Sequence, residues 1–314
     1  MSAESNHWSS YWESGSITSL PQDFQDNYDG EIGAFWESQF ESLNSNSIIL
    51  DLCTGNGAIA LLAQSFSLKF QKEFNVIGVD AATINTAAIV KNKPHLSELL
   101  NRVNFISNCR VEDIDLTSES VDLITSQYGI EYCDWKLVAE RVFDLLKPNG
   151  EFAFISHAQS TDIRKTMCEE QRQYMFLNEL KIFTLVNSYY NHKKSFGLTL
   201  KKLKSAETKL QLAQKSISSQ LYASVLQFLQ YILQLDKARM TTEKRQIVSF
   251  CEQHVFAYKR LEDILNVSEK ISSVPNWYQV FESAGLSLIA SGDVLQGGLH
   301  KAGVYYQFKK KDDR

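Results

Sequence analysis

The stretch Asp51-Leu52-Cys53-Thr54-Gly55-Asn56-Gly57-Ala58-Ile59-Ala60 decides the fold. An apolar β-branched run, 48–53, leads into it, and a helical pattern, 57–70, leads out. Glycines between a strand and a helix let the backbone turn tightly and come close to a ligand. The exposed N–H groups of the following helix face the same crevice. The stretch therefore predicts the first strand–turn–helix unit of a doubly wound sheet, with a nucleotide-like ligand across the strand ends.

Further strands are predicted at 75–80, 103–107, 121–126 and 151–156, with helical patterns between them, as at 134–147. Short buried strands alternating with helices imply a parallel sheet. After Pro275, a helix-like 276–284 ends at Gly285. Leu286–Ser291 and Gly303–Lys309, joined through Gly297-Gly298, predict an antiparallel pair at the sheet edge. Between these halves, 158–274 has no proline and one glycine, Gly197. There Leu221, Val225, Phe228, Ile232 and Leu235 recur on one helical face, so several long amphipathic helices are expected, broken at Gly197. The charged tail Lys309–Arg314 is expected to fray.

At 314 residues the chain has room for such a core and a sizeable addition. A net charge of -5 gives no general attraction to nucleic acid or anionic membrane. No run of about 18 apolar residues predicts a transmembrane segment. The polar start, Met1 to His7, does not read as a secretion signal. Cys53, Cys109, Cys133, Cys168 and Cys251 are widely spaced and form no CxxC, so reduced thiols of a cytoplasmic protein are expected rather than a disulfide framework or a metal site. Charge is uneven: 158–274 holds 18 Lys and Arg against 11 Asp and Glu, and seven lysines lie between Lys193 and Lys215. That run reads as a solvated helix face or as a contact for an anionic partner.

The glycines alone do not choose the ligand. Gly55-x-Gly57-x-x-Ala60 also fits a relaxed dinucleotide fingerprint, and Asp80, at the end of the second strand, can accept from ribose hydroxyls in either case. Asp51 suits the amino group of a bound amino acid and sits less well beside pyrophosphate. Asp113 follows the third strand, where it can accept from an adenine amine, with Ala81, Ala82 and Ile114 against the ring.

In this order the motifs resemble those of class I S-adenosylmethionine-dependent methyltransferases. Residues 48–60 are similar to their first motif, 76–82 to the acidic second-strand motif and 111–114 to the adenine loop. Residues 121–132 resemble the fourth-strand motif. Leu145-Leu-Lys-Pro148-Asn-Gly150 resembles the turn before strand five, with Asn149 for the usual first glycine. The resemblance covers about 45–157 and 276–309. It implies an α/β fold: a seven-stranded Rossmann-like sheet with a large all-helical insertion after strand five. The corresponding segments are an aromatic cap at 1–44, a cofactor-binding core at 45–157, the helical insertion at 158–274 for a substrate lid or dimerisation, and a completing helix and strand pair at 275–314.

S-adenosyl-L-methionine is then the expected cofactor, held by Asp51, Cys53, Thr54, Gly55, Gly57, Asp80, Ala81, Asp113, Ile114 and Gln127. Trp8-Ser-Ser-Tyr11-Trp12 resembles the aromatic leader of thiopurine-type methyltransferases, which implies that Tyr11 and Trp12 cover the cofactor; Tyr28 joins them through a similar Tyr-Asp pair. The residues after strand four normally face the methyl group. Tyr128, Glu131 and, from the end of strand five, His157 are the candidate catalytic residues, the last two as bases. Ser126-Gln-Tyr-Gly stands where methyltransferases of DNA bases carry Asn/Asp-Pro-Pro-Tyr, which disfavours DNA as substrate. The expected acceptor is a small molecule, or a peptide- or lipid-linked group, methylated on O or N, and a homodimer through the helical insertion is compatible with this. Two other classes stay open: an NAD(P)-dependent oxidoreductase, which fits the glycines alone, and a non-catalytic scaffold that binds the cofactor and offers the helices to a partner.

Overall fold

The computed structural model describes residues 6–19, 24, 26–158, 162–298 and 300–311. The tail residues 312–314 and the start of the leader, 1–5, lie outside them. The chain divides into two compact units, one made of 1–162 with 266–314 and one of 163–265.

The first unit opens with α1 (Asn6–Trp12) and α2 (Gly30–Glu41), then β1 (Ile48–Leu52), α3 (Ala58–Phe70), β2 (Asn75–Asp80), α4 (Thr86–Asn92), α5 (Ser97–Leu100), β3 (Val103–Ser107), β4 (Val121–Gln127), α6 (Trp135–Leu145) and β5 (Leu146–Ser156). Every predicted strand is present within a few residues of its expected place. β1 is buried on both faces, as a central parallel strand requires. Helix starts follow local chemistry: Asp134 accepts from the N–H groups of Lys136 and Leu137 to open α6, and Asn85 accepts from Ala88 to open α4.

The second unit consists of helices: α7 (Asp162–Glu179), α8 (Ile182–Tyr190), α9 (Phe196–Ser216), α10 (Gln220–Leu233), α11 (Lys237–Thr242) and most of α12 (Lys244–Ser273). Its core joins Leu177, Val186, Leu203, Leu210, Val225, Leu229, Ile232 and Met240. The expected break at Gly197 is displaced. Gly197 is the second residue of α9, where the first turn tolerates it, and the chain breaks just before it, after α8 ends at Tyr190. None of the described helices is long and apolar enough to cross a membrane.

The chain then returns to the first unit through α13 (Gln279–Ser283), β6 (Leu286–Gln296) and β7 (His300–Lys310). The helix expected over 276–284 is shorter at both ends. The sheet order is β3-β2-β1-β4-β5-β7-β6, parallel from β3 to β5, with β7 antiparallel to both β5 and β6. Apolar layers cover its two faces. One joins Ile32, Trp36 and Phe40 of α2 to Ala60, Ala63 and Phe66 of α3. The other joins Val138 and Val142 of α6 to Phe152, Phe154, Trp277, Phe281 and Phe308. Phe281 is fully buried, so truncating it to alanine would cost about 3–5 kcal/mol.

Candidate functional site

The registers Leu52↔Val79, Leu52↔Ser126 and Gln127↔Ile155 align the carboxyl ends of four parallel strands. The order reverses at β1, which lies between β2 and β4, and a ligand crevice is expected there.

The glycine loop sits at that reversal. Gly55 (φ 57) and Gly57 (φ 91) occupy the left-handed region, and a Cβ on Gly57 would stand 2.7 Å from the Phe105 ring. Asp80 braces the loop. One carboxylate oxygen accepts from the Gly55 N–H at 2.7 Å and the other from the Ala82 N–H at 2.7 Å. Burial raises the Asp80 carboxyl above its ordinary range.

Asp51 faces inward. It is 1% exposed, and its two oxygens accept from the hydroxyls of Thr54 (2.5 Å) and Thr125 (2.8 Å). Burial pushes its pKa up to about 7, against the lowering effect of those hydroxyls. Thr54 is thereby buried under the loop, while half-buried Cys53 (φ 54) touches Cys133.

The third carboxylate is arranged differently. Asp113 ends a 3-10 turn, with its side chain 69% exposed and 3.9 Å from Arg110. Ile114 is buried in the layer under α6, and Ala81 is exposed. The structure thus gathers Asp51, Thr54, Gly55, Gly57 and Asp80 around one loop and leaves Asp113 at the surface.

The aromatic leader is seated on that loop. A Cβ on Gly55 would stand 2.5 Å from Cζ2 of Trp12. The Asn56 amide, fully buried, donates to the carbonyls of Trp12 (2.9 Å) and Ser16 (2.7 Å) and so ties the leader down. Sequence reasoning missed Asn56, because a residue between two glycines carries no local signal for so distant a partner. Trp8 stacks on Trp12 and meets Tyr132 edge-on, and the Tyr11 hydroxyl donates to the Thr18 carbonyl.

Beyond β4 lie the candidate catalytic groups. Glu131 is fully buried, and its Oε1 accepts from the His157 backbone N–H (2.9 Å) and pairs with His157 Nδ1 (2.7 Å). The Tyr128 hydroxyl donates to the Ala302 carbonyl at 3.0 Å, and burial keeps it protonated, well above its ordinary range. Gln127 accepts from the Trp36 indole at 2.5 Å. Tyr28 packs edge-on to Tyr128, with its pKa pushed up to about 12 by burial.

Among the described residues, Ser126 Oγ and Glu131 Oε2 are buried with no hydrogen-bond partner. Buried polar atoms are normally satisfied. Two orphans around the end of one strand fit a site whose polar occupant completes the bonding. No cluster of three or more metal-ligating side chains occurs among the described residues.

Comparison with known proteins is consistent with this geometry. The family model described as "Methyltransferase domain" matches residues 43–285. The chain therefore belongs to the methyltransferase-domain family, within the S-adenosylmethionine-dependent class that its motifs resemble. The oxidoreductase alternative falls with that assignment. No protein of curated function matches the sequence. Similar solved structures include phosphoethanolamine N-methyltransferase 2 of Haemonchus contortus, at 11% identity and TM-score 0.45, over 99% of this chain and 61% of that one. Another is a methyltransferase of Methanococcus maripaludis, at 13% and 0.41, over 90% and 85%. A third is geranyl diphosphate C-methyltransferase of Streptomyces coelicolor, at 15% and 0.34, over 40% and 43%. The chain thus spans less than half the length of that last enzyme.

Proposed function

We propose that this chain transfers a methyl group from S-adenosyl-L-methionine to O or N of a small or medium-sized acceptor, with His157 taking the proton. The observation that carries this reading is the hydrogen bond from His157 Nδ1 to buried Glu131, at the strand ends beside the glycine loop. The cofactor, when bound, supplies an activated methyl group and so leaves the protein to position the acceptor, accept its proton and exclude water.

The residues present fit that ligand. Asp80 carries spare acceptor capacity beyond its two backbone bonds, and Gly55 and Gly57 themselves add no side chain to the loop. Asp51 acts by holding the loop through Thr54. Asp113 is accessible to an adenine edge from the surface. Trp12, with Tyr11 edge-on to it, forms a cover over Gly55. Because the Trp12 ring now rests on that glycine, the cover lifts for the ligand and closes again on it.

On the acceptor side, Glu131 fixes the imidazole through Nδ1, which leaves Nε2 as the nitrogen that accepts a proton. Tyr128 serves as a wall, since its hydroxyl is committed to backbone. The reaction is placed in the cytoplasm, in keeping with five free thiols. The helices inserted between β5 and β6 select the acceptor or pair two chains. Light scattering tests the second role: the mass of a single chain rules out pairing.

The test of the reading is transfer of labelled methyl from S-adenosylmethionine to components of a cell extract. Incorporation by the wild type that His157→Ala lowers by about 100-fold or more supports it. Binding of the cofactor without turnover over many extracts would favour the scaffold instead.

A further inference from the structure

Cys53 and Cys133 lie 80 positions apart in sequence, yet their sulfurs are 3.7 Å apart. Each belongs to a loop of the proposed site. Cys53 ends the turn out of β1 and directly precedes Thr54 and Gly55. Cys133 follows Glu131 by two residues and directly precedes Asp134, the cap of α6. Neither sulfur takes part in the proton transfer proposed above, and both residues are only partly buried.

We propose that Cys53 and Cys133 form a reversible intramolecular disulfide that shuts down cofactor binding, a regulation that rests on the reading of this site given above. Hydrogen peroxide suffices as the oxidant. The Cys133 thiolate attacks one peroxide oxygen, the O–O bond breaks, and a sulfenic acid and hydroxide result. The Cys53 sulfur then attacks the sulfenic sulfur, and water leaves as the S–S bond forms. Two thiols and one peroxide thus yield one disulfide and two waters. Cytosolic disulfides are typically transient and redox-sensing.

The order of attack follows from the surroundings. The side-chain hydrogen bond with Cys133, then burial, hold the Cys53 thiol well above its ordinary range, which disfavours Cys53 as the first nucleophile.

Closure has a geometric consequence. A disulfide needs its sulfurs about 2.05 Å apart, so they must approach by more than an ångström. Cys53 has little freedom to supply that movement by itself. Its backbone is in the left-handed region, and Gly129 packs so tightly on it that a Cβ there would stand 2.2 Å from Cys53 Cβ. Any part of the closure that falls on the loops displaces Gly55 from Asp80 on one side and Glu131 from His157 on the other.

The test treats the full-length protein with hydrogen peroxide, then maps peptides without reduction and measures S-adenosylhomocysteine binding by calorimetry. A Cys53–Cys133 cross-linked peptide is expected, with affinity falling at least about tenfold and recovering in dithiothreitol. Cys133→Ser should retain the affinity of the reduced protein and be insensitive to peroxide. Sulfinic acids without a cross-link, or a cross-link that leaves affinity unchanged, overturn the proposal. The peptide is read independently of the ligand, so a reduced protein that binds no S-adenosylhomocysteine refutes the functional reading and with it the regulation. The cross-link itself would still be decided by mass.

Discussion

Glu131 and His157 form a two-point clamp: one carboxylate oxygen accepts from the histidine backbone N–H and pairs with its Nδ1. The clamp fixes both the position of the strand end and the plane of the imidazole. In the mechanism proposed above, Glu131 is a positioning residue and His157 the base. His157→Ala should lower methyl transfer by about 10²–10⁴-fold. Glu131→Gln, which still accepts from the backbone N–H, should lose less and should shift the pH profile of turnover. S-adenosylhomocysteine affinity should stay within about twofold in both. Equal turnover in either variant, measured with labelled cofactor, would remove the clamp from the mechanism.

In the proposed site Asp80 joins the cofactor to the loop it braces. Asp80→Ala removes the acceptor for two backbone N–H groups along with the one offered to the ligand. Affinity for S-adenosylhomocysteine should fall by about 10–100-fold, the range for hydrogen bonds to a charged group. Gly57→Val should act differently. At φ 91, and with Phe105 against the new Cβ, it strains the loop and should lower melting temperature as well as affinity. Calorimetry with thermal denaturation distinguishes the two, and unchanged affinity in both folded variants would contradict the site.

Much of this was legible in the sequence. The runs at 48–53 and 75–80 are apolar and β-branched and are punctuated by Gly55, Gly57 and Asp80, so local chemistry alone placed the strands and the first turn. Asn149 at φ 65 shows the same logic: it takes the left-handed position that glycine usually fills, which Asn tolerates. What sequence could not supply was pairing at a distance. Glu131 and His157 were each visible as candidates, but nothing within 26 residues of chain declares that one holds the other. Asp51 reads as a ligand group by position, yet Thr125 and Thr54 supply hydroxyls that turn it inward. Gly197 looked like a helix break because it is the only glycine in its region, whereas an N-terminal turn accommodates glycine.

Buried Asp51 makes stability depend on pH in an unusual direction. Its folded pKa, about 7, lies above its ordinary value of 3.8, so the folded state keeps a proton that the unfolded chain releases. Stability is therefore highest below pH 3.8 as far as this group is concerned, and declines as pH rises to about 7. Asp80, shifted in the same direction, adds to the trend. Asp51→Asn should flatten the fall in melting temperature between pH 5 and 8 by several degrees relative to wild type. Parallel curves for the two proteins would show that Asp51 does not titrate in this range.

In the proposed site Trp12 governs entry. With its ring resting on Gly55 and its carbonyl held by Asn56, the leader must lift before a ligand reaches the loop. Trp12→Ala should raise the association rate of S-adenosylhomocysteine by about tenfold in stopped-flow fluorescence or surface binding. Asn56→Ala should do the same by releasing the anchor. Rates equal to wild type in both variants would mean that the leader stands clear of the entry path in solution.

The central claim is that the loop at Gly55–Gly57, braced by Asp80, receives the methyl donor. Titration calorimetry of the reduced full-length protein with S-adenosylhomocysteine and, separately, with NAD+ tests it most directly. Saturable one-to-one binding of the first is expected, with no heat of binding from the second. Binding of NAD+ alone would contradict it.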